Sequence, residues 1–203
     1  MKLFYVKFIK RIFDLVIAIL ILLFTSPILL ISIILLIFWN KSTNVFFKQI
    51  RPGKNEKLFI VFKLKTMNDN HENGKLLPDE LRTTLIGSIL RKFSIDELPQ
   101  LWNVVIGDMS LIGPRPLLVE YLKFYSPEQK RRHNVLPGIT GWAQIHGRNS
   151  LSFEERFKLD VWYVDNISLQ LDFNIFCKTI VKILKSENVL SQDPNKITDL
   201  KQH

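Results

Sequence analysis

The stretch LVIAILILLFTSPILLISIILLIFW, residues 15–39, decides the architecture: it carries no charge and holds Thr25-Ser26-Pro27 at its midpoint. As one straight helix rising ~1.5 Å per residue it would reach ~37 Å, enough to cross a bilayer. Pro27 has no N–H, so Leu23 O loses its helical partner and the ring crowds that turn. In lipid such a carbonyl needs a local remedy, and the hydroxyls of Thr25 and Ser26 can bond back to the preceding turn. Lys2, Lys7, Lys10 and Arg11 precede the run; Lys41, Lys48, Arg51, Lys54 and Lys57 follow it. Basic flanks favour the cytoplasmic face, and here both flanks are basic. Two readings stay open at this level. One is a re-entrant hairpin bent at Ser26 and Pro27 with both ends on one side; the other is an ordinary span with a proline kink. A cleaved secretory leader fits poorly, because Thr25-Ser26-Pro27 is not a small-x-small site and the apolar run continues for twelve residues beyond Pro27.

With 203 residues, one catalytic-size domain plus a membrane segment fills the chain. Hydrophobic residues make up 47% and charged residues 23%, and the mean hydropathy is only +0.10, which suits a protein seated at a membrane surface. The formal charge of +9 attracts anionic phospholipid, nucleotides or nucleic acid. Nucleic acid is not expected, because a membrane-seated chain already accounts for much of the basic excess. Cys177 is the only cysteine, which agrees with a reducing compartment.

Beyond the apolar run, residues 45–50 and 58–65 read as two strands around the polar Pro-Gly stretch 51–57, a hairpin. Lys63 and Lys65 alternate with Phe62 and Leu64 and so share one strand face, either a solvated edge or a phosphate contact. Residues 68–80 read as a polar loop that leaves His71 exposed, and residues 81–93 as a helix with Leu81, Leu85 and Ile89 on one face. Residues 94–106 are a further helix, starting near Asp96 so that Pro99 falls in its first turn, with Leu98, Leu101, Trp102 and Val105 buried. Glycines then punctuate loops at 107–110, 113–116 and 137–141. Helices are expected at 117–134, with a break near Pro127, at 151–165 and at 169–185. The last sets Leu169, Phe173, Phe176 and Ile180 against Lys178, Lys182 and Lys185, a pattern that fits an interfacial helix or a core-facing one. The fold class is therefore α+β and mostly helical. Its parts are a membrane helix-break-helix over residues 1–40, a cytosolic catalytic domain over 41–186 and a polar tail over 187–203.

The common phosphate cradles, Walker A and G-x-G-x-x-G, are absent, as is zinc spacing. What remains is the acidic pair Asp96-Glu97 at a helix start, with arginines in rigid loops. Acidic residues are favoured at helix N-termini for purely structural reasons. A helix N-terminus also keeps an aspartate ionised, hence ready as a nucleophile, and favours nearby phosphate. Two adjacent carboxylates offer hard oxygen ligands to Mg²⁺. Arg115, locked between Pro114 and Pro116, can hold a phosphate in bidentate fashion. Arg148 follows Gly147 in a tight loop, and Arg91 sits five residues before Asp96.

At these residues the chain resembles the bacterial sugar transferase family, the monotopic polyprenyl-phosphate phosphoglycosyl transferases. The resemblance rests on Lys10-Arg11-Ile12-Phe13-Asp14, Ser26-Pro27, Lys63-Leu64-Lys65-Thr66-Met67 and the run from Arg91 through Asp96-Glu97-Leu98-Pro99-Gln100 to Leu101. It continues through Gly107-Asp108-Met109-Ser110, Gly113-Pro114-Arg115-Pro116, Pro137-Gly138-Ile139-Thr140-Gly141-Trp142-Ala143-Gln144 and Gly147-Arg148-Asn149. In length and in Leu117-Leu118-Val119-Glu120-Tyr121 the chain looks most like the diacetylbacillosamine phosphotransferases that begin a bacterial N-glycan.

The resemblance implies transfer of a sugar 1-phosphate from a UDP-sugar to undecaprenyl phosphate, with release of UMP. Asp96 would be the nucleophile and a Mg²⁺ ligand. Glu97 would support Asp96 or assist the acceptor phosphate, and these alternatives stay open. Arg115 and Arg148, with Lys63 and Lys65, would bind donor phosphates or nucleotide, and Arg91 would support the acidic pair. The implied donor is an N-acetylated deoxyhexose. The implied location is the bacterial inner membrane, monotopic, with the catalytic domain and both termini cytoplasmic. A homo-oligomer and downstream glycosyltransferases are the protein partners that this setting allows. Two alternatives are carried alongside: direct attack of the lipid phosphate in a ternary complex, and a non-catalytic protein that holds anionic lipid.

Overall fold

The computed structural model describes residues 4–40, 44–72, 75–147 and 150–185. A π-helical turn, Tyr5–Ile9, leads into α1, Lys10–Asn40, which runs as one helix with Pro27 inside it. The expected interruption at Ser26 and Pro27 therefore does not appear in the helix. The reason is local: Ser26 Oγ donates to Leu23 O at 2.8 Å, the carbonyl that Pro27 orphans, and Thr25 Oγ1 donates to Ile21 O at 2.6 Å. This helix is long and apolar enough to cross a membrane, and only 11% of its most apolar window is buried. Leu23, Phe24, Ile31 and Phe38 all stand exposed.

Strand β1, Phe46–Pro52, pairs antiparallel with β2, Leu58–Leu64. The strand thus continues through Arg51 and Pro52, which the Pro-Gly punctuation had assigned to the connection. Pro52 takes the last position, where a missing N–H costs least, and the turn is left to residues 53–57 with Asn55 and Glu56 at positive φ. A two-residue pair follows, β3 (His71–Glu72) and β4 (Lys75–Leu76), inside the stretch expected to be loop. Next come α2, Asp79–Arg82, and α3, Leu85–Lys92. The single helix expected over 81–93 is split because Thr83 bridges to Met67 and Thr84 caps α3, accepting from Gly87 N. The Leu81, Leu85 and Ile89 stripe is exposed, whereas Leu90 packs with Leu36, Val45 and Leu64.

The helix expected over 94–106 is likewise divided. Ile95–Glu97 form a 3-10 turn, and α4, Gln100–Ile106, starts with Pro99 at its N-cap. Leu101 is buried, but Trp102 points outward. β5, Ser110–Ile112, pairs in parallel with β6, Gly138–Thr140, joining two segments read as loops. Between them, residues 117–134 form 3-10 turns at Val119–Phe124 and Arg131–Asn134 around α5, Pro127–Lys130, rather than one helix. Pro127 opens α5 beneath a Ser126–Gln129 capping box instead of breaking a helix. Helices α6 (Trp142–His146), α7 (Phe153–Asn166) and α8 (Leu169–Lys185) complete the described chain. The two long ones match the expected spans, and the 187–203 tail lies outside the described residues.

The main core gathers Ala18 from α1 with Leu101, Val104, Met109, Ile112, Tyr163 and Ile175. Polar pins fasten α1 to it. Asp172 of α8 accepts from Tyr5 Oη (2.7 Å), Lys10 Nζ (2.8 Å) and Tyr163 Oη (2.7 Å), and both Lys10 and Asp172 are buried. Arg11 donates to Val104 O (2.6 Å) and Val105 O (2.9 Å), the free carbonyl end of α4. Asp14 accepts from Ser110 Oγ and Leu111 N. On α8, the buried face carries Asp172 and Ile175, and Phe176 packs against the core at its edge, while Leu169, Phe173 and Ile180 are exposed, so most of the apolar stripe read from the sequence turns away from the core.

Candidate active site

Ser94 lies in the left-handed region (φ 56, ψ 24), turning the chain sharply after α3 so that Asp96 and Glu97 occupy one tight 3-10 turn. Their environments differ. Glu97 Oε1 accepts from Lys63 Nζ at 2.7 Å and from Arg115 Nη2 at 2.5 Å, and its Oε2 lies 3.3 Å from Arg115 Nη1. Burial alone would favour its neutral form, but Arg115 and Lys63 outweigh that and hold the carboxyl well below the usual range. Asp96 is buried, 8% exposed, and among the described residues its carboxyl accepts no hydrogen bond. Burial, then the neighbouring Glu97 charge, push it up to about 6 against the opposing pull of Lys63, Arg91 and Arg115. The expected helix-dipole ionisation of Asp96 is therefore corrected: a three-residue turn supplies no helical N-terminus, and the balance is set by burial and side-chain charges. At neutral pH the carboxylate form still predominates. Two adjacent carboxylates are thus pushed apart in acidity, one tied down and one unoccupied.

The remaining pieces are set by contacts that sequence spacing does not reveal. Lys63 is placed by Asn103 of α4, whose amide donates to Ile60 O (2.6 Å) and accepts from Phe62 N (3.3 Å) on β2. Lys65 goes elsewhere. β2 ends at Leu64, and Lys65 pairs with Asp69, so the two lysines expected on one face do not both reach the acidic pair. Arg91 donates from Nε to Thr66 Oγ1 at 2.8 Å and is among the charges acting on Asp96. That approach needs Gly87, where a Cβ would stand 2.0 Å from Thr66 O. Arg115 is fixed by its backbone as well as by its prolines. Arg132 Nη2 donates to Arg115 O at 2.8 Å, while the buried Arg132 is itself paired with Asp160 at 2.7 Å. Gly113 N donates to Thr140 O and Gly138 N to Pro114 O, clamping the same loop to β6. Arg148 lies outside the described residues. Asn103 is one amide in a mostly apolar helix, whereas Arg132 and Asp160 lie among other charged residues, and nothing in their spacing marks any of them out.

A small cleft lies beside Arg115, between Pro52-Gly53 and Pro114–Pro116, with His133 in its wall. His133 Nδ1 is 3.2 Å from Gly53 O, and its buried Nε2 has no hydrogen-bond partner among the described residues. Arg51 stands half-buried on β1 and belongs to the same electrostatic group as Arg115 and Glu97, a placement that the sequence reading missed.

Three cations acting on a buried carboxylate that accepts no hydrogen bond among the described residues are a setting suited by charge to a substrate with phosphate groups, and the chain's likeness to known proteins runs the same way. Residues 5–186 match the family described as bacterial sugar transferase. The chain belongs to that family. This transferase is 54% identical over 190 residues, 93% of each chain, to the sugar transferase EpsL of Bacillus subtilis (strain 168). It is 40% identical over 186 residues to the UDP-N-acetylgalactosamine-undecaprenyl-phosphate N-acetylgalactosaminephosphotransferase of Aeromonas hydrophila, covering 87% of this chain and 44% of that one. It is 34% identical over 203 residues to the undecaprenyl-phosphate galactose phosphotransferase of Salmonella typhimurium, covering 89% of this chain and 41% of that one. These relatives support the family and lend nothing to the likeness with diacetylbacillosamine enzymes in particular. Among the described residues no group of three or more His, Cys, Asp or Glu could hold a metal ion alone. Mg²⁺ is commonly held by one or two carboxylates together with substrate phosphates. Asp96, with its free oxygens, fits that role; Glu97, with Lys63 and Arg115 on its oxygens, does not.

Proposed function

We propose that the transferase moves a sugar 1-phosphate from a UDP-sugar to undecaprenyl phosphate, releasing UMP, through a covalent intermediate on Asp96. The observation that carries this reading is the contrast within the acidic pair: Glu97 is occupied by Lys63 and Arg115, while Asp96 is unbound, buried and flanked by cations. A free, partly desolvated carboxylate is a competent nucleophile toward phosphorus, and the surrounding cations favour the charge that develops on the phosphoryl oxygens. Glu97 then acts through Arg115 and Lys63, which it orients, rather than by touching the acceptor. Arg91 and Arg115, held by Thr66 and by the Pro114-Arg115-Pro116 loop, bind the donor diphosphate. Mg²⁺, when bound at Asp96, would neutralise part of that diphosphate's charge. The donor expected is a UDP-linked, N-acetylated deoxyhexose, a choice drawn from the likeness to diacetylbacillosamine enzymes and not from the relatives above.

Packing supports a one-sided membrane seat. The start of α1 is pinned by Lys10, Arg11 and Asp14, and its end packs through Leu36 onto Val45, Leu64 and Leu90 of the same body, while Leu23 to Ile28 project outward. A 31-residue helix is ~46 Å long if straight, and both of its ends pack on one body while it runs unbroken; a hairpin dipping into one leaflet would bend it at Pro27, where a helical N–H is missing. The exposed apolar faces of α3 and α8 would rest at the interface.

The covalent step is tested by mixing purified enzyme with a UDP-sugar panel in the absence of lipid acceptor. The expected result is a stoichiometric burst of UMP and a phosphosugar mass adduct, both lost in Asp96→Asn. UMP release that requires the lipid, with no adduct, would refute the intermediate in favour of direct attack.

A further inference from the structure

Each residue from Ser110 to Arg115 carries a backbone hydrogen bond to a partner outside that run. Ser110 N donates to Pro137 O (2.8 Å), Gly113 N to Thr140 O (2.9 Å), and Pro114 O accepts from Gly138 N (3.0 Å). Ile112 O accepts from Tyr163 Oη at 3.1 Å, and Arg115 O from Arg132 Nη2 at 2.8 Å. Leu111 differs: its N–H donates to Asp14 Oδ1 at 3.2 Å, a carboxylate near the start of α1. Of these partners Asp14 alone belongs to α1.

Asp14 grips β5 at two points. Its other oxygen, Oδ2, accepts from Ser110 Oγ at 2.7 Å, and that hydroxyl in turn accepts from Ile112 N at 3.2 Å. Asp14, Ser110 and Ile112 are all buried. A carboxylate taken out of water is costly unless hydrogen bonds replace the water. Among the described residues Asp14 forms no ion pair, and the hydrogen bonds to both its oxygens come from β5. Lys10 and Arg11 fasten α1 to α8 and to the end of α4; Asp14 is the pin that reaches β5.

Little slack separates Leu111 from Arg115. Gly113 lies so close to the next segment that a Cβ there would stand 2.5 Å from Leu136 O, and proline fixes φ on either side of Arg115. A displacement at Leu111 therefore passes to Arg115, whose fork meets Glu97 at 2.5 and 3.3 Å. Moving a binding group by about 1 Å can cost about a hundredfold in rate. We propose that Asp14 is a positioning residue for donor binding: by holding Ser110 and Leu111 it sets where Arg115 presents its guanidinium, so that capture of the donor diphosphate depends on the seating of α1. This inference rests on the reading above of Arg115 as a group that binds that diphosphate.

The test uses the full chain in lipid nanodiscs, with melting and membrane retention recorded for every variant. Asp14→Asn keeps the shape but turns one acceptor into a donor; Ser110→Ala, the gentler change, removes only one of the two bonds. Arg11→Gln frees α1 from the end of α4 without touching β5. Asp14→Asn and Ser110→Ala should weaken UDP binding and lower kcat/KM for the UDP-sugar, each by about tenfold or more for Asp14→Asn and less for Ser110→Ala. The kcat/KM for undecaprenyl phosphate should hold within about twofold, as should UDP binding by Arg11→Gln, since neither involves the placement of Arg115. In an Arg115→Gln background, Asp14→Asn should add less than about threefold, because the two substitutions act through one group. UDP binding left unchanged by both β5-contact variants would overturn the proposal. So would full additivity with Arg115→Gln, or an equal loss in Arg11→Gln, which would reduce Asp14 to one more fastening of α1. UDP binding needs no turnover, so this result stands apart from the covalent step, which the phosphosugar adduct alone tests.

Discussion

Lowering the pH from 7 to 5 should destabilise this protein through one side chain, His133. The ring is buried, its Nδ1 faces Gly53 O, it leans on Tyr125, and Arg132 and Lys130 are its charged neighbours. Burial, then Arg132, push its pKa down to about 4 from an ordinary 6.5. The folded protein thus keeps the imidazole neutral where the unfolded chain protonates it. Stability from this group is complete above the unfolded value and is lost as pH falls from about 6.5 through the folded value of about 4. Binding polynomials for the two values give a loss of about 2 kcal/mol between pH 7 and pH 5, approaching about 3.4 kcal/mol below pH 4. For a chain of this size the loss from His133 taken alone corresponds to a melting shift of roughly 4–8 °C; in the wild type Asp96, pushed up to about 6, gains stability over the same range and offsets part of it. Thermal unfolding in nanodiscs, followed by proteolysis at both pH values, measures it. His133→Asn, which can still donate to Gly53 O and does not titrate, should lose less between the two pH values by about 2 kcal/mol. Equal pH sensitivity of wild type and variant, or a His133 proton resonance that titrates near 6.5, would refute the reasoning.

Two further outcomes test the frame around the site. Asp172→Asn breaks a buried ion pair and disturbs two tyrosine hydrogen bonds, so chemical denaturation should show a loss of about 3–5 kcal/mol, whereas a loss under 1 kcal/mol would show that α1 is held by packing alone. Gly87→Ala would ordinarily favour a helix by about 1 kcal/mol. Here its Cβ would meet Thr66 O at 2.0 Å, so the variant should instead be destabilised by about 1–3 kcal/mol, with UMP release falling as Arg91 is displaced; a stabilised variant would contradict the close approach.

The acidic pair, the proline-locked Arg115 and the membrane helix were legible because each is a local pattern: adjacent carboxylates, a P-x-P backbone, an uncharged run. What stayed hidden depends on partners far along the chain. The Asn103 amide has meaning only against the backbone of β2, and Arg132 only against Asp160 and the carbonyl of Arg115. Arg51 was assigned to a turn because Pro52-Gly53 follows it, yet Pro52 is tolerated at a strand end. The β5–β6 pair escaped notice because three-residue strands built around glycine carry no periodicity. In the stretch 94–106, hydrophobic spacing suggested one helix, but Pro99 moved the helix start past the acidic pair and turned Trp102 outward. Whether the apolar stripe of α8 faces the core or the surface could not be read from spacing, since both give one apolar face. The burial of Asp172 and Ile175, on the flank of that helix beside the stripe, decides it.

The Lys10–Asp172 bond also constrains how the protein is made. Its ends are 162 residues apart in sequence, which at ~5–20 residues per second is roughly 8 to 30 s of synthesis. For that interval Lys10 waits at the edge of the lipid without its partner, while the partners of Arg11 and Asp14, at residues 104–111, emerge partway through. The N-terminal helix must therefore reach the membrane before any of its fastenings exists, and the last of them closes only when α8 emerges. Ribosome stalling shortly upstream of residue 172 should leave a lipid-bound helix that lacks the Lys10–Asp172 bond.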